Sequence, residues 1–250
     1  MEQAADAIES AGDRYVEHAN AQTLNEIESA NEVEGVSALE MTKTYNSRMV
    51  GANSPGRPIY DSLLASPSEG RCPFCGHRVV STLDHVLPKT LYPAFAVAPM
   101  NLVPCCSDCN KRKLDDDPAT PIDVYIHPYF DNVEDGIWLK AQTIESSPAA
   151  TEFYVDPCGH WDVPLGERLI RHFDRLALGK LYALEAANEL SGIRYQLGLV
   201  YDVGGVNAVR TFLREIAVSC EAAKPNWWRS ASYRAWEDSD WFCDGGFAEV

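Results

Sequence analysis

Two pairs of cysteines carry the strongest chemical signal in the sequence. Cys72 and Cys75 are separated by two residues, and Cys106 and Cys109 repeat that spacing. Each pair can grip one metal ion through a tight turn, and four thiolates satisfy tetrahedral Zn²⁺ without leaving an open position. We therefore predict a structural zinc site; the alternative is a set of reduced, buried cysteines. The N-terminus lacks the pattern of a secretory signal, which also favours metal binding over disulfides.

The segment between the two pairs contains side chains that could activate water beside a second metal. His85 follows Asp84 in "LDHVLPK", at the predicted end of a strand, and an unperturbed imidazole is largely neutral near pH 7 and can take a proton. Asn110 directly follows the fourth cysteine. A carboxylate and an amide oxygen are hard ligands that suit Mg²⁺ or Mn²⁺ rather than zinc. We expect Asp84 and Asn110 to face one another if the second cysteine pair ties the helix start to the strand.

These residues and their order resemble the HNH endonuclease family, with its ββα-metal fold. The resemblance covers roughly residues 70–115. The family's first His, preceded by an acid and followed by an apolar residue and a proline, matches His85 in "LDHVLP". Its middle Asn matches Asn101 in "NLVPCCSDC". Its last position, commonly His with Asn as a variant, matches Asn110 in "CNKRK", so the sequence is similar to an H-N-N member with a four-cysteine zinc knuckle.

The resemblance implies a mechanism in which DNA phosphodiester bonds are hydrolysed. His85 would act as the general base, and Asp84 with Asn110 would bind the catalytic Mg²⁺ or Mn²⁺. Asn101 belongs to the catalytic set of the motif and is expected to order the loop between strand and helix rather than to bind metal. Basic residues near the site would hold backbone phosphates: Lys89, Lys111, Arg112 and Lys113.

The charge distribution supports this placement. The chain has 21 basic and 37 acidic residues and a net charge of −16, which alone argues against a nucleic-acid-binding protein. Residues 71–113, however, contain six basic and two acidic residues. The predicted site is thus a basic island in an acidic chain. No apolar run reaches the length of a membrane span, so we predict a soluble cytoplasmic protein that does not bind a membrane.

An acidic body disfavours tight unaided binding to DNA, so we expect targeting by a protein partner or by a homo-oligomer. "LDHVLPKTLYP" and "NLVPCCSDCNKRK" are similar to the nuclease subunit of Septu-type anti-phage systems, which acts with an ATPase. This similarity implies an effector nuclease of a bacterial defence system. A restriction or mobile-element HNH nuclease remains an alternative. A non-catalytic, zinc-stabilised binding or scaffold module is a further alternative, although both His85 and Asp84 are retained.

The predicted fold class is α+β, with a small ββα zinc module set between helical regions. We divide the chain into an acidic helical N-terminal region (1–69), the HNH module (70–117) and a C-terminal region of short strands followed by helices (118–250). Hydrophobic periodicity predicts helices within 1–50, short strands at 121–131, 136–146 and 151–157, and a long helical stretch from 165 that breaks near Gly179 or Gly192. A further helix is predicted after the Gly204–Gly205 pair. The aromatic "PNWWRSASYRAW" near the C-terminus predicts a packed helix, with a nucleic-acid stacking platform as the alternative.

Overall fold

The computed structural model describes residues 2–248, and the fold is α+β, as predicted. The backbone forms eight α-helices, several short 3₁₀ turns and three antiparallel two-stranded sheets within that range. The chain divides into two compact units. The first comprises residues 1–132 and 163–176, and the second comprises 133–162 and 177–250. Both predicted domain boundaries, after 69 and after 117, lie inside the first unit.

The N-terminal part of the first unit is helical with one small hairpin. Met41, Tyr45 and Met49 are buried at helical spacing, so this segment turns one apolar face inward. Ser37 caps α2 in a reciprocal arrangement with Glu40. The elements are α1 (Glu2–Asn20), β1 (Glu32–Val33), β2 (Val36–Ser37), α2 (Ala38–Tyr45), a π-helical turn (Asn46–Val50) and α3 (Arg57–Leu64).

A hairpin and a short helix follow in the same unit. β3 (Thr82–His85) pairs antiparallel with β4 (Leu102–Cys105), and α4 (Ser107–Lys113) begins two residues after β4 ends. The register pairs Asp84 with Val103 and His85 with Leu102. Both strands are almost entirely buried, so this hairpin lies in the interior of the first unit. α5 (Val163–Arg175) completes that unit, and its Arg168 forms a buried ion pair with Asp131.

The second unit packs helices against one hairpin. Its core is aromatic, because Trp236 and Tyr233 are buried in α7 and Phe153 of β6 contacts Tyr182 of α6. The elements are β5 (Leu139–Ile144), β6 (Ala150–Val155), α6 (Leu178–Ala223), α7 (Trp228–Asp238) and α8 (Asp240–Cys243). The C-terminal aromatic segment is thus the packed helix, not an exposed stacking platform.

One predicted strand is absent from the structure, whereas the predicted helix breaks are present. Residues 121–131, predicted as a strand, form a 3₁₀ turn and an irregular segment, because the Asp123 carboxylate accepts hydrogen bonds from the Thr120 backbone N–H and hydroxyl and holds a turn. The helix break predicted near Gly179 or Gly192 lies at Ala177, two residues before Gly179, where φ is 51°, and α6 runs on through Gly192. The break predicted at the Gly-Gly pair occurs inside α6, at Gly205, where φ is 63°. None of the described helices has the length and apolarity that a membrane crossing requires.

Candidate active site

The four paired cysteines form one buried cluster. Their sulfur atoms all lie within 4.8 Å of one another, and each thiol is at most 3% exposed. Zn–S bonds of about 2.3 Å in a tetrahedron place sulfur atoms roughly 3.8 Å apart, so the cluster has the dimensions and the donor chemistry of a Cys₄ zinc site. The cluster could therefore hold a metal such as zinc. The members are Cys72, Cys75, Cys106 and Cys109.

Tight turns deliver both cysteine pairs to the cluster. The Gly76 amide donates to the Cys72 carbonyl at 2.8 Å, and Gly76 adopts φ +60°, a conformation that a residue with a Cβ rarely accepts. On the other side, the Cys106 sulfur accepts a hydrogen bond from the Cys109 amide at 3.4 Å, at the first turn of α4. Cys105, predicted as a core residue beside the ligands, is fully buried outside the cluster. Burial raises the pKa of its thiol.

His85 ends β3 with its ring held from two sides. Its Nε2 lies 2.9 Å from the Ala96 carbonyl oxygen. Because a carbonyl can only accept, Nε2 must carry the hydrogen, which leaves Nδ1 as the atom with a free lone pair. The Tyr45 ring packs edge-on against the imidazole, with centroids 4.6 Å apart. Burial, helped by Lys89, lowers the pKa of His85 to about 3, so the imidazole is neutral at pH 7.

Asp84 points into the same region beside a buried lysine. Its Oδ2 atom is buried and makes no hydrogen bond, although the Lys113 ammonium lies 3.4 Å away. Burial raises the pKa of Asp84 above its usual value, and the positive charge of Lys113 opposes that shift. Lys113 itself donates to the His85 carbonyl oxygen at 2.6 Å and lies over the Tyr125 ring. The ammonium is thus shared by the last two residues of β3.

Lys113 therefore differs from its predicted position. It is 0% exposed, and its ammonium is enclosed by Asp84, the His85 carbonyl and Tyr125. A group in this position cannot reach a backbone phosphate, because reaching one would require it to leave a buried carboxylate. The prediction placed it with its neighbours on α4, but a helix turn of 100° per residue sends Lys113 inward while Lys111 and Arg112 stay exposed.

A cavity of about 340 Å³ opens over the end of β3 and the C-terminal half of α4. It brings together three of the predicted catalytic residues, Asp84, His85 and Asn110, and two of the predicted phosphate-binding residues, Lys89 and Lys111. The remaining lining residues are Pro88, Leu114 and Asp115. The fourth catalytic residue of the motif, Asn101, and the exposed Arg112 do not line it.

Asn101 lies behind the cavity and organises the loop that follows β3. Its Oδ1 accepts from the Leu87 amide at 2.8 Å, and its Nδ2 donates to the Leu87 and Phe95 carbonyls at 2.9 and 3.2 Å. The side chain is fully buried, and all three partners belong to residues 87–95. The loop continues to Ala96, whose carbonyl orients His85. Asn101 thus supports the ring of His85 through the backbone and does not line the cavity.

Two contributors to this site were not identified from the sequence. Tyr45 packs on His85 from α2, almost forty residues away, and Ala96 contributes only its carbonyl oxygen. The burial of Tyr45 could have been found from its spacing of four residues from Met41 and Met49. Its contact with His85 has no sequence signal, because the packing of α2 on the hairpin is tertiary. The backbone role of Ala96 likewise leaves no side-chain signature.

Comparison with known proteins finds one informative similarity. The chain is 31% identical to Protein ea31 of Escherichia phage lambda over 227 residues, which cover 85% of this chain and 76% of that protein. No family model matches the chain, and no solved structure matches it. The similarity extends well beyond the cysteine cluster and the cavity, since those residues occupy less than a fifth of the chain.

Proposed function

The chain belongs to the family of Protein ea31 of Escherichia phage lambda, whose name states no activity, and we propose from its site that it is a metal-dependent HNH endonuclease that hydrolyses DNA phosphodiester bonds. One observation carries the proposal. Asp84, His85 and Asn110 line a single cavity, and His85 presents a neutral Nδ1 with a free lone pair. Metal-assisted phosphodiester hydrolysis needs a general base and ligands that hold a metal ion, and these three side chains can supply both.

His85 is the proposed general base. Its Nδ1 takes a proton from a water molecule as the water oxygen bonds to phosphorus, and the bond from phosphorus to the leaving oxygen breaks. The hydrogen bond from Nε2 to Ala96 fixes the tautomer, and the edge contact with Tyr45 fixes the ring plane. General base catalysis of this kind typically contributes ~10²–10⁴-fold to a rate.

Asp84 and Asn110 have the donor atoms that a second, catalytic metal ion would need. The Oδ2 atom of Asp84 is buried and makes no hydrogen bond, and its ion-pair partner, the Lys113 ammonium, lies 3.4 Å away, so a hard cation would supply a further partner. Asn110 offers a neutral oxygen on the facing helix. Mg²⁺ or Mn²⁺ bound there would polarise the scissile phosphate and stabilise the charge that develops on the leaving oxygen. The Cys₄ cluster is the proposed structural zinc site that holds α4 in place.

Lys89 and Lys111 are positioned to hold the DNA backbone. Both line the cavity, and Arg112, the residue after Lys111 on α4, is exposed. Contacts to phosphates position a duplex without reading its sequence. With a net charge of −16 the body repels DNA, so we assign target choice to a protein partner, as in an anti-phage defence system with an ATPase. That assignment depends on the similarity of the motif to Septu-type nucleases alone.

A nuclease of a mobile genetic element is the second candidate. The organism of the relative is a phage, which favours this role over a host defence role. Both candidates share the same site and the same chemistry and differ only in what directs the enzyme. A non-catalytic binding module would not need the free Nδ1 of His85.

Cleavage of supercoiled plasmid by the zinc-loaded protein with Mg²⁺ or Mn²⁺ tests the chemistry. We expect His85→Ala to lower the rate by ~10²-fold or more with folding and zinc content unchanged. His160→Ala, an exposed His outside the cavity, is the matched control and should cut normally. A His85→Ala protein that cuts at the parental rate would disprove the proposed base. If the parent does not cut alone, Mn²⁺ binding that is lost in Asp84→Asn tests the metal site directly.

A further inference from the structure

The longest helix presents a solvent-exposed face that contains no charge over most of its length. Between Lys180 and Asp202, the exposed positions of α6 carry apolar or uncharged polar residues only. We call this surface the α6 face. Its principal residues are Leu184, Asn188, Ser191, Gly192, Tyr195 and Leu199.

The α6 face is unusually apolar for a surface of this chain. Tyr195 is 80% exposed and Leu184 is 60% exposed, and Val203 at the far end is 90% exposed. The charged residues of the same stretch are half-buried and therefore lie off this face: Glu185, Glu189 and Arg194. In a chain that is 23% charged, an exposed, uncharged strip of roughly 33 Å along a helix that carries several large apolar side chains is typical of a protein contact surface.

Gly192 supplies a second, independent observation. It lies in the middle of a helix, where glycine is destabilising relative to alanine because of its backbone entropy. A Cβ at this position would meet no atom of the chain within 4 Å, so nothing inside the molecule requires a glycine here. Glycine would be required at position 192 if the backbone of a second chain packed closely against it.

The charges at the two ends of the α6 face indicate which partner binds it and in which direction that partner runs. Lys180 is exposed at one end and Asp202 at the other, and neither forms an ion pair with any residue in 2–248. A second α6 running antiparallel would place each lysine opposite the partner's aspartate. A parallel arrangement would place like charges together. Two molecules that each carry −16 also repel one another, and an uncharged strip is where they can meet.

The antiparallel register that pairs Lys180 with Asp202 also places large residues opposite small ones. Pairing position 180 with position 202 puts the two-fold axis at Ser191. Tyr195 then lies opposite Ala187, and Leu184 lies opposite Gly198. Such alternation lets antiparallel helices interdigitate at close range. A two-fold contact of one patch with its own copy is also the commonest symmetry of soluble oligomers.

We propose that a second copy of this chain packs antiparallel on the α6 face, with Ser191 at the two-fold axis and two Lys180–Asp202 ion pairs at its ends. This homodimer does not depend on the nuclease assignment. It would give the molecule two cavities, one per copy.

Sedimentation equilibrium of the full-length, zinc-loaded protein tests the contact. We expect the parent to form a dimer and Tyr195→Lys to have a dissociation constant at least about 100-fold higher. The reason is that an aromatic side chain that the dimer would bury is replaced by a charge. Tyr154→Lys, at an exposed Tyr of β6, is the matched control and should dimerise like the parent. A monomeric parent, or a Tyr195→Lys dimer of parental affinity, would overturn the proposal and leave the face to a different protein or to solvent.

Charge reversals test the antiparallel register. Lys180→Glu and Asp202→Lys should each weaken the dimer by about tenfold, and the double variant should recover most of the affinity. Failure of the double variant to recover affinity would reject this register. Gly192→Ala provides a further readout, since it should raise the thermal unfolding midpoint of the monomer while it weakens the dimer. If Gly192→Ala raised both the unfolding midpoint and the dimer affinity, no partner backbone would pack closely against position 192.

Discussion

The ammonium of Lys113 lies 3.4 Å from the carboxylate of Asp84, with the lysine fully buried and the aspartate 6% exposed. The same ammonium donates to the His85 carbonyl oxygen. One charged group at the end of α4 therefore fixes the last two residues of β3. Burial raises the pKa of Asp84, and the positive charge of Lys113 opposes that rise, which favours the ionised carboxylate that a divalent cation requires.

Replacing Lys113 should destabilise the fold. Lys113→Met leaves Asp84 buried without its counter-ion, and breaking a buried pair in this way typically costs ~3–5 kcal/mol. Lys111→Met, an exposed lysine of the same helix, should change the free energy of unfolding by no more than ~0.5 kcal/mol. Urea denaturation of the two variants measures the difference. Equal stability would show that the pair contributes nothing, and adding Asp84→Asn to Lys113→Met should recover part of the loss.

The cysteine cluster should depend on its four members and not on their neighbour. We expect Cys106→Ser to lose bound metal and solubility, because a hydroxyl is a poor ligand for zinc and the turn before α4 is no longer tied to the knuckle. Cys105→Ser changes the adjacent buried cysteine, which lies outside the cluster, and should retain zinc. Metal analysis of the purified proteins measures the zinc that each variant retains. A zinc-loaded, folded Cys106→Ser protein would contradict a four-thiolate site.

The exposed basic residues of α4 should contribute to DNA affinity through phosphates alone. Each phosphate contact adds about 0.9 to the slope of log affinity against log salt concentration. In a His85→Ala background, replacing Lys111 and Arg112 with alanine should reduce that slope by about 1.8. Lys43→Ala, an exposed lysine of α2 away from the cavity, should leave the slope unchanged. Fluorescence anisotropy on a short duplex across a salt series distinguishes these outcomes; equal slopes would remove both residues from the DNA contact.

Local sequence signals predicted the parts of the site that depend on local geometry. The two Cys-x₂-Cys turns, the strand ending at His85 and the helix after Cys106 all follow from residue types over a few positions, and the structure contains each of them. The α+β class follows from the same periodicities. Residues 121–131 were predicted wrongly because their β-branched content outweighed two prolines and a side-chain turn at Asp123.

The inward direction of Lys113 and the contact of Tyr45 with His85 could not be predicted, because both depend on how separate elements pack. A lysine three residues after Asn110 is equally compatible with a phosphate contact and with a buried ion pair. Only the tertiary position of α4 against β3 decides between them. The helix break predicted near Gly179 or Gly192 lies at Ala177, beside the first of these glycines, and the sequence alone did not decide between the two because glycine weakens a helix at either position.

Protonation of His127 should limit stability in mild acid. Its Nε2 lies 3.2 Å from the Met100 carbonyl, and its Nδ1 accepts from the Tyr129 amide. These partners fit the neutral ring, and a second ring proton would face the Tyr129 N–H. Burial lowers the pKa of His127 from 6.5 to about 4. The unfolded chain therefore binds this proton first as the pH falls.

The stabilisation from a neutral His127 is complete above about pH 6.5 and is lost as the pH falls towards 4. At ~1.4 kcal/mol per pKa unit, the loss amounts to about 3 kcal/mol over that window. His127→Gln keeps one donor and one acceptor but cannot titrate, so its unfolding free energy should fall less steeply between pH 6.5 and pH 4. Urea denaturation across this range compares the two slopes and cancels the carboxylates common to both proteins. Parallel curves would mean that His127 has an ordinary pKa in the folded state.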